Sequence, residues 1–214
     1  MPAGKADIKM KHQRGFTITE LMIVVVIAGV LAAVAAPNMS DFVKNNARAT
    51  RVNTMVSALH YTRGQAVTRN ARVSLCKSAG GTACDAVGVG GAGNFAGGWI
   101  VFTDGGVRGT VDGGDLVLRV FQPDMGGFAT LTGINTPIGA IRGLSYENTG
   151  LGWDLVPPAG VIAVSAGTLF RYCDDRGPPK ARGIVISPTG YPSLTRDTNG
   201  DGTDDFGGVN LVCP

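Results

Sequence analysis

The sequence predicts an α+β fold: a long N-terminal helix, apolar in its first half and amphipathic in its second, lying on β-sheet. Three observations carry this expectation. Residues 16–36 form an uninterrupted apolar run with one charge. Residues 52–66 repeat apolar positions at helical spacing. Beyond residue 71 the chain breaks into short apolar runs separated by glycine, which accounts for 33 of the 214 residues. A hydrophobic fraction of 44% is enough to build a core and excludes a chain disordered throughout.

The first 15 residues carry Lys5, Lys9, Lys11 and Arg14 against one acid, Asp7. The remaining chain holds 15 basic and 15 acidic side chains, so the formal charge of +3 belongs to this leader and a globally basic nucleic-acid binder is not indicated. The run FTITELMIVVVIAGVLAAVAA comes next. As a helix, its 21 residues span roughly 31 Å, the thickness of a bilayer core. Basic residues before the span place the N-terminus in the cytoplasm and the body on the far side of the membrane. A secretory signal is the competing assignment, with Ala33–Ala36 as its cleavage site. The length of the run and a carboxylate, Glu20, five residues into it argue against that. An isolated carboxylate in an apolar span costs about 2–3 kcal/mol and calls for a partner.

After Pro37 and a polar stretch, Asn38 to Asn46, helical periodicity resumes. Val52, Met55, Leu59, Thr62 and Ala66 share one face, widened by Val56, Ala58 and Val67. Lys44, Arg48, Arg51, Arg63, Arg69 and Arg72 surround it, read either as a solvated basic face or as a surface for acidic neighbours or DNA. Expected strands are Arg72–Cys76, Trp99–Thr103, Asp115–Phe121, Gly139–Ser145, Thr168–Cys173, Gly183–Ser187 and Val209–Cys213. Gly80–Gly98 reads as a glycine-rich loop, and Pro157–Pro158 and Pro178–Pro179 as turns. The organisation expected is a leader over 1–15, an apolar helix over 16–36, its amphipathic half over 37–70 and a β-rich domain over 71–214.

Four cysteines, Cys76, Cys84, Cys173 and Cys213, lie in the part expected to be exported. An even count there implies two disulfides. Three pairings are open; Cys76–Cys84, closing a short loop, with Cys173–Cys213, fastening the C-terminal strand, is favoured. A zinc site lacks a C-x-x-C pair and a nearby histidine. Residues Asp197, Asn199, Asp201 and Asp205, with Gly202, imitate the start of a calcium loop, although Gly208 stands where the bidentate glutamate would be. Calcium is one reading of this loop and an acidic Asx/Gly turn the other. Two histidines, His12 and His60, and the absence of a nucleophile elbow, Walker loop or zinc-protease motif leave catalysis without support. No cofactor other than calcium is expected. His60 reads as a packing residue on the helix.

The segment Gly15-Phe16-Thr17-Ile18-Thr19-Glu20-Leu21, after a basic leader, resembles the class III signal of type IV prepilins and type II secretion pseudopilins. The resemblance implies cleavage by prepilin peptidase between Gly15 and Phe16, N-methylation of Phe16, and pairing of Glu20 with the α-amine of a neighbouring subunit. Pro37 falls where many pilins carry a helix-kinking proline. The segments Cys76-Lys77-Ser78, Gly98 to Asp104 and Arg182 to Gly190 are similar to the FimT/GspH family of minor pilins and pseudopilins. That family implies a pilin-like fold, its helix packed on antiparallel β-sheet, and a minor pilin that helps initiate or prime a type IV pilus, with other minor pilins and the major pilin as partners. An H-type pseudopilin of a type II secretion system and a DNA-binding pilin are the alternatives. DNA-uptake members carry Gly-Arg-x-Arg where this chain has Gly190-Tyr191-Pro192-Ser193, a departure that weakens the DNA reading.

Overall fold

The computed structural model describes residues 15–85, 93–123, 129–135, 139–156, 160–164 and 167–213; residues 1–14, most of the expected leader, and the expected turn at Pro157–Pro158 lie outside them, as does part of the Gly80–Gly98 loop. Two compact units divide the chain, residues 1–46 and 47–214.

Helix α1 spans Ile18–Arg69, so the polar stretch Asn38–Asn46 is helical. Over residues 21–35 its sequence is apolar all round, and Leu21, Val24, Ile27 and Leu31 are all exposed. It is the one described helix long and apolar enough to cross a membrane. Pro37 lies within its span, and the side chain of Pro37 is outside the described residues.

In the second unit α1 buries the predicted face: Val52, Met55, Ala58, Leu59, Thr62 and Ala66. The Thr62 hydroxyl donates to the Ala58 carbonyl at 2.6 Å, which satisfies a hydroxyl buried in an apolar seam. Val67 is exposed rather than part of the face, because it lies in the last turn, where the helix leaves the core. His60 is likewise exposed. The helix ends in a Schellman motif. Asn70 takes φ 50°, its N–H donates to the Val67 carbonyl, and the Ala71 N–H donates to the Ala66 carbonyl.

Thirteen strands succeed the helix among the described residues: β1 Val73–Lys77, β2 Trp99–Thr103, β3 Val117–Phe121, β4 Thr130–Asn135, β5 Gly139–Ala140, β6 Gly143–Tyr146, β7 Gly152–Val156, β8 Gly160–Ala163, β9 Thr168–Cys173, β10 Arg182–Ile186, β11 Pro192–Leu194, β12 Asp205–Phe206 and β13 Val209–Asn210. They form a six-stranded sheet ordered β3-β2-β1-β6-β7-β8, a five-stranded sheet ordered β11-β10-β9-β4-β5, and the hairpin β12-β13. Every pairing is antiparallel. The helix face, Leu75, Trp99, Val101, Leu144 and Tyr146 of the first sheet, and Leu131, Phe170, Tyr172 and Ile184 of the second make one core. Cys76, Ile100 and Phe102 point to the opposite face of the first sheet, so its central strands are buried on both sides.

Two expected strands are corrected. Gly139–Ser145 is two strands in different sheets, and the chain changes sheet at Ile141–Arg142. Gly143 makes the crossing, since a Cβ there would meet the Leu75 carbonyl oxygen at 2.1 Å. The C-terminal strand is only Val209–Asn210. Gly207 and Gly208 fold it back on Asp205–Phe206, and the disulfide at Cys213 fastens the chain beyond Asn210 in place of sheet pairing. Pro178–Pro179 begins a 3-10 turn, Pro178–Lys180.

Candidate functional site

The start of α1 is built from Phe16, Thr17 and Glu20. Phe16 is 87% exposed and precedes the helix. Thr17 and Glu20 form a reciprocal capping box: the Glu20 N–H donates to Thr17 Oγ1 at 3.2 Å, and Glu20 Oε2 accepts from the Thr17 N–H at 3.0 Å and its hydroxyl at 2.9 Å. The sequence reading missed this role, although the T-x-x-E spacing before an apolar run is its signature. Oε1 of Glu20 accepts no hydrogen bond among the described residues. The carboxylate therefore caps its own helix through Oε2.

Arginines of the second helical half bond to nearby oxygen atoms, and Arg69 stays exposed. Arg48 donates to the Lys180 carbonyl at 2.9 Å, Arg51 to the Tyr172 hydroxyl at 2.9 Å, and Arg69 to Gln65 Oε1 at 2.8 Å. Arg63 donates to the Gly150 carbonyl at 3.1 Å and lies 3.9 Å from the centroid of the Tyr191 ring. Arg72, just past the helix, bonds the Gly106 carbonyl and pairs with Asp104. A guanidinium offers several donors in a planar fork, which suits it to gathering carbonyls from the loops around a helix. Arg182 is paired with Asp204. At Gly190–Ser193, where arginines would favour DNA, Tyr191 is instead covered by Arg63.

In the acidic loop the residues expected to ligate calcium accept hydrogen bonds from the loop's own donors. Asp197 accepts from the Gly200 and Gly202 amides at 2.7 and 2.8 Å, Asn199 Oδ1 from the Asp201 amide at 2.9 Å, and Asp201 from the Thr203 amide at 2.9 Å. Asp205 Oδ2 accepts from the Thr198 N–H at 2.8 Å and from its hydroxyl. These side chains are turned onto the loop's own donors, and among the described residues no three acidic, histidine or cysteine side chains group as metal ligands. The bonds are those of Asx turns, and the loop leads into β12.

The disulfides are Cys76–Cys84 and Cys173–Cys213. The first closes the loop after β1; the second ties the end of β9 to the C-terminal segment, beside Ala181 and Leu211.

A capped apolar helix entering a body of antiparallel sheets, with a carboxylate in its first turn, defines the pilin-like class of subunits. The prokaryotic N-terminal methylation motif matches residues 10–36, and the family model described as type II transport protein GspH matches residues 51–190. The chain belongs to the GspH family.

Among curated proteins it is 52% identical over 50 residues to a fimbrial protein of Pseudomonas aeruginosa, 23% of this chain and 32% of the relative. It is 45% identical over 49 residues to the type IV major alpha-pilin of Moraxella bovis, 23% of this chain and 30% of that one. The match thus spans about a third of the length of these relatives. Among solved structures, the type IV minor pilin FimU of Pseudomonas aeruginosa is 18% identical in one crystal form, with a TM-score of 0.49 over 72% of this chain and 92% of that one. A second crystal form is 17% identical, with a TM-score of 0.44 over 67% and 89%.

Proposed function

We propose that this chain is a minor pilin, a low-copy subunit that helps initiate or prime a type IV pilus. The observation that carries the reading is Glu20, the one charge in the apolar run 16–36, whose Leu21, Val24, Ile27 and Leu31 are exposed. In lipid such a group is tolerated when paired, and a neighbouring subunit's α-amine is a partner that also fixes axial register. Prepilin peptidase cuts between Gly15 and Phe16 and methylates Phe16. The helix anchors the subunit in the inner membrane with its body in the periplasm, then exchanges lipid for the helices of other pilins without meeting water. An H-type pseudopilin of a type II secretion system is the second reading, favoured by the family model that covers residues 51–190.

Intact mass of the protein from cells with and without prepilin peptidase tests the class. A species beginning at N-methylated Phe16, present only with the peptidase, is the expected result. An uncut chain, or one cut near Ala36, would overturn the role given to Glu20.

A further inference from the structure

Strand β3 is an edge of the six-stranded sheet: it pairs with β2 and, among the described residues, with no other strand. The remaining edges are blunted. Strand β5 has two residues, β11 opens on Pro192, and β8 has four residues and begins on Gly160. At five residues β3 is the longest edge, and it exposes apolar side chains: Val117 is 38% exposed, Val120 45%, and Leu116 just before the strand 62%. An unpaired row of backbone donors and acceptors flanked by exposed apolar groups is a template for another strand.

This edge borders a groove. Between β3 and α1 lies a cleft of about 480 Å³, lined on the helix side by Ala47, Thr50, Arg51 and Thr54 and on the strand side by Val120 and Gln122, among others. Small residues on the helix leave its floor open. A cleft between a helix and a free sheet edge is the geometry in which an extended segment adds to a sheet, with main-chain bonds for affinity and alternate side chains for specificity.

Charge selects the occupant. The charged residue among those lining the groove is Arg51, whose guanidinium also donates to the Tyr172 hydroxyl. Arg119, exposed on β3, lies 4.8 Å from the Phe121 ring centroid and makes no ion pair among the described residues. Asp115, the nearest acid before the strand, is held by the Gly105 and Asp112 amides.

We propose that the groove between α1 and β3 takes an extended segment of a neighbouring subunit, alternating acidic and apolar, as an added β-strand. Only the source of the strand rests on the minor-pilin reading. The groove's preference is measured on the purified protein, so its failure is distinct from a failure of processing or assembly.

The probe is a fluorescein-labelled, end-blocked heptapeptide alternating Glu and Val, titrated with the full-length protein in detergent and read by fluorescence anisotropy. A Lys/Val heptapeptide is the control. The expected result is saturable binding of the Glu peptide, at least ten-fold tighter than the Lys peptide. Hydrogen exchange at the amides of 117–121 should slow in the complex. Thr50→Trp, an exposed helix position that projects into the groove, should weaken the Glu peptide at least ten-fold, and Arg119→Glu should narrow or reverse the preference. Equal binding of both peptides, no binding, or full binding to Thr50→Trp with its circular dichroism unchanged would overturn the proposal.

Discussion

The two halves of α1 differ in what holds them. Before residue 46, Leu21, Val24, Ile27 and Leu31 find no apolar partner within their unit and all remain exposed. After it, Met55, Ala58 and Leu59 are wholly buried, and the arginines around them reach to carbonyl and hydroxyl oxygens. Helix propensity does not separate them, since a helix gains most of its stability in a protein from packing. The second half is therefore an element of a domain, whereas the first is left exposed among the described residues. Such a helix is hydrophobic all round because every side of it must meet lipid or other helices.

The sharpest way to break this comparison is a pair of substitutions. Glu20→Ala should abolish incorporation into filaments, read by immunoblot of sheared surface fractions, and leave the melting temperature of the folded body unchanged. Leu59→Ala should do the reverse in kind. It costs about 2–5 kcal/mol of stability by opening a cavity in the core, read by urea denaturation, and lowers incorporation only as far as folded protein is lost. If Glu20→Ala were incorporated normally, the first half would be an anchor and nothing more.

The disulfides sharpen the same contrast within the body. Cys173–Cys213 closes 40 residues and Cys76–Cys84 closes 8. Loop-closure entropy assigns the longer about 4 kcal/mol and the shorter about 2.5 kcal/mol. Replacing each pair by serine and comparing denaturation midpoints should show the larger loss at Cys173/Cys213. The reverse order would mean that the cluster of Cys76, Ile100 and Phe102 depends on its bridge for packing rather than for chain entropy.

How much could be read in advance depends on how local the cause is. The apolar run, the buried helix face and the strands Trp99–Thr103 and Thr168–Cys173 are legible because contiguous apolar residues determine them. Strand β4 was missed because its sequence, TLTGIN, carries a glycine that ordinarily interrupts a strand. Gly133 is there because a Cβ would meet Ile141, Phe95 and Phe170 at 2.8 to 3.1 Å. Strand β7 was missed for a related reason, since GWDLV places Asp154 at a wholly buried position. The ties of Arg48, Arg51 and Arg63 were beyond reach because their acceptors lie 87 to 132 residues away along the chain. Of the candidate site, the Phe16–Glu20 segment was legible as a motif but not as a capping box, and the acidic loop was legible as a run of oxygen-bearing residues but not in the hydrogen bonds it makes to its own amides.

Asp154 gives the smallest expected effect and the most specific. Its Oδ2 accepts from Asn135 Nδ2 at the end of β4 and from the Thr168 hydroxyl at the start of β9, so one carboxyl on the first sheet is tied to two residues of the second. Neither donor is charged, Oδ1 has no partner, and burial pushes the carboxyl up to about 6 against these two opposing hydrogen bonds. A folded-state value above that of the unfolded chain means that the native protein holds the extra proton between about pH 4 and pH 6. The contribution to stability is therefore full below about pH 4 and lost as pH rises through 6. Asp154→Asn keeps an oxygen for the same donors and removes the titration. Denaturation curves from pH 4 to pH 7 should show the variant gaining on the parent as pH rises, then running parallel above it. A constant offset between the two reflects how the amide fits; only the slope reports the proton. A difference that stays flat across this range would mean that water reaches the carboxylate between the sheets, and that the seam joining them is looser than the core beneath α1.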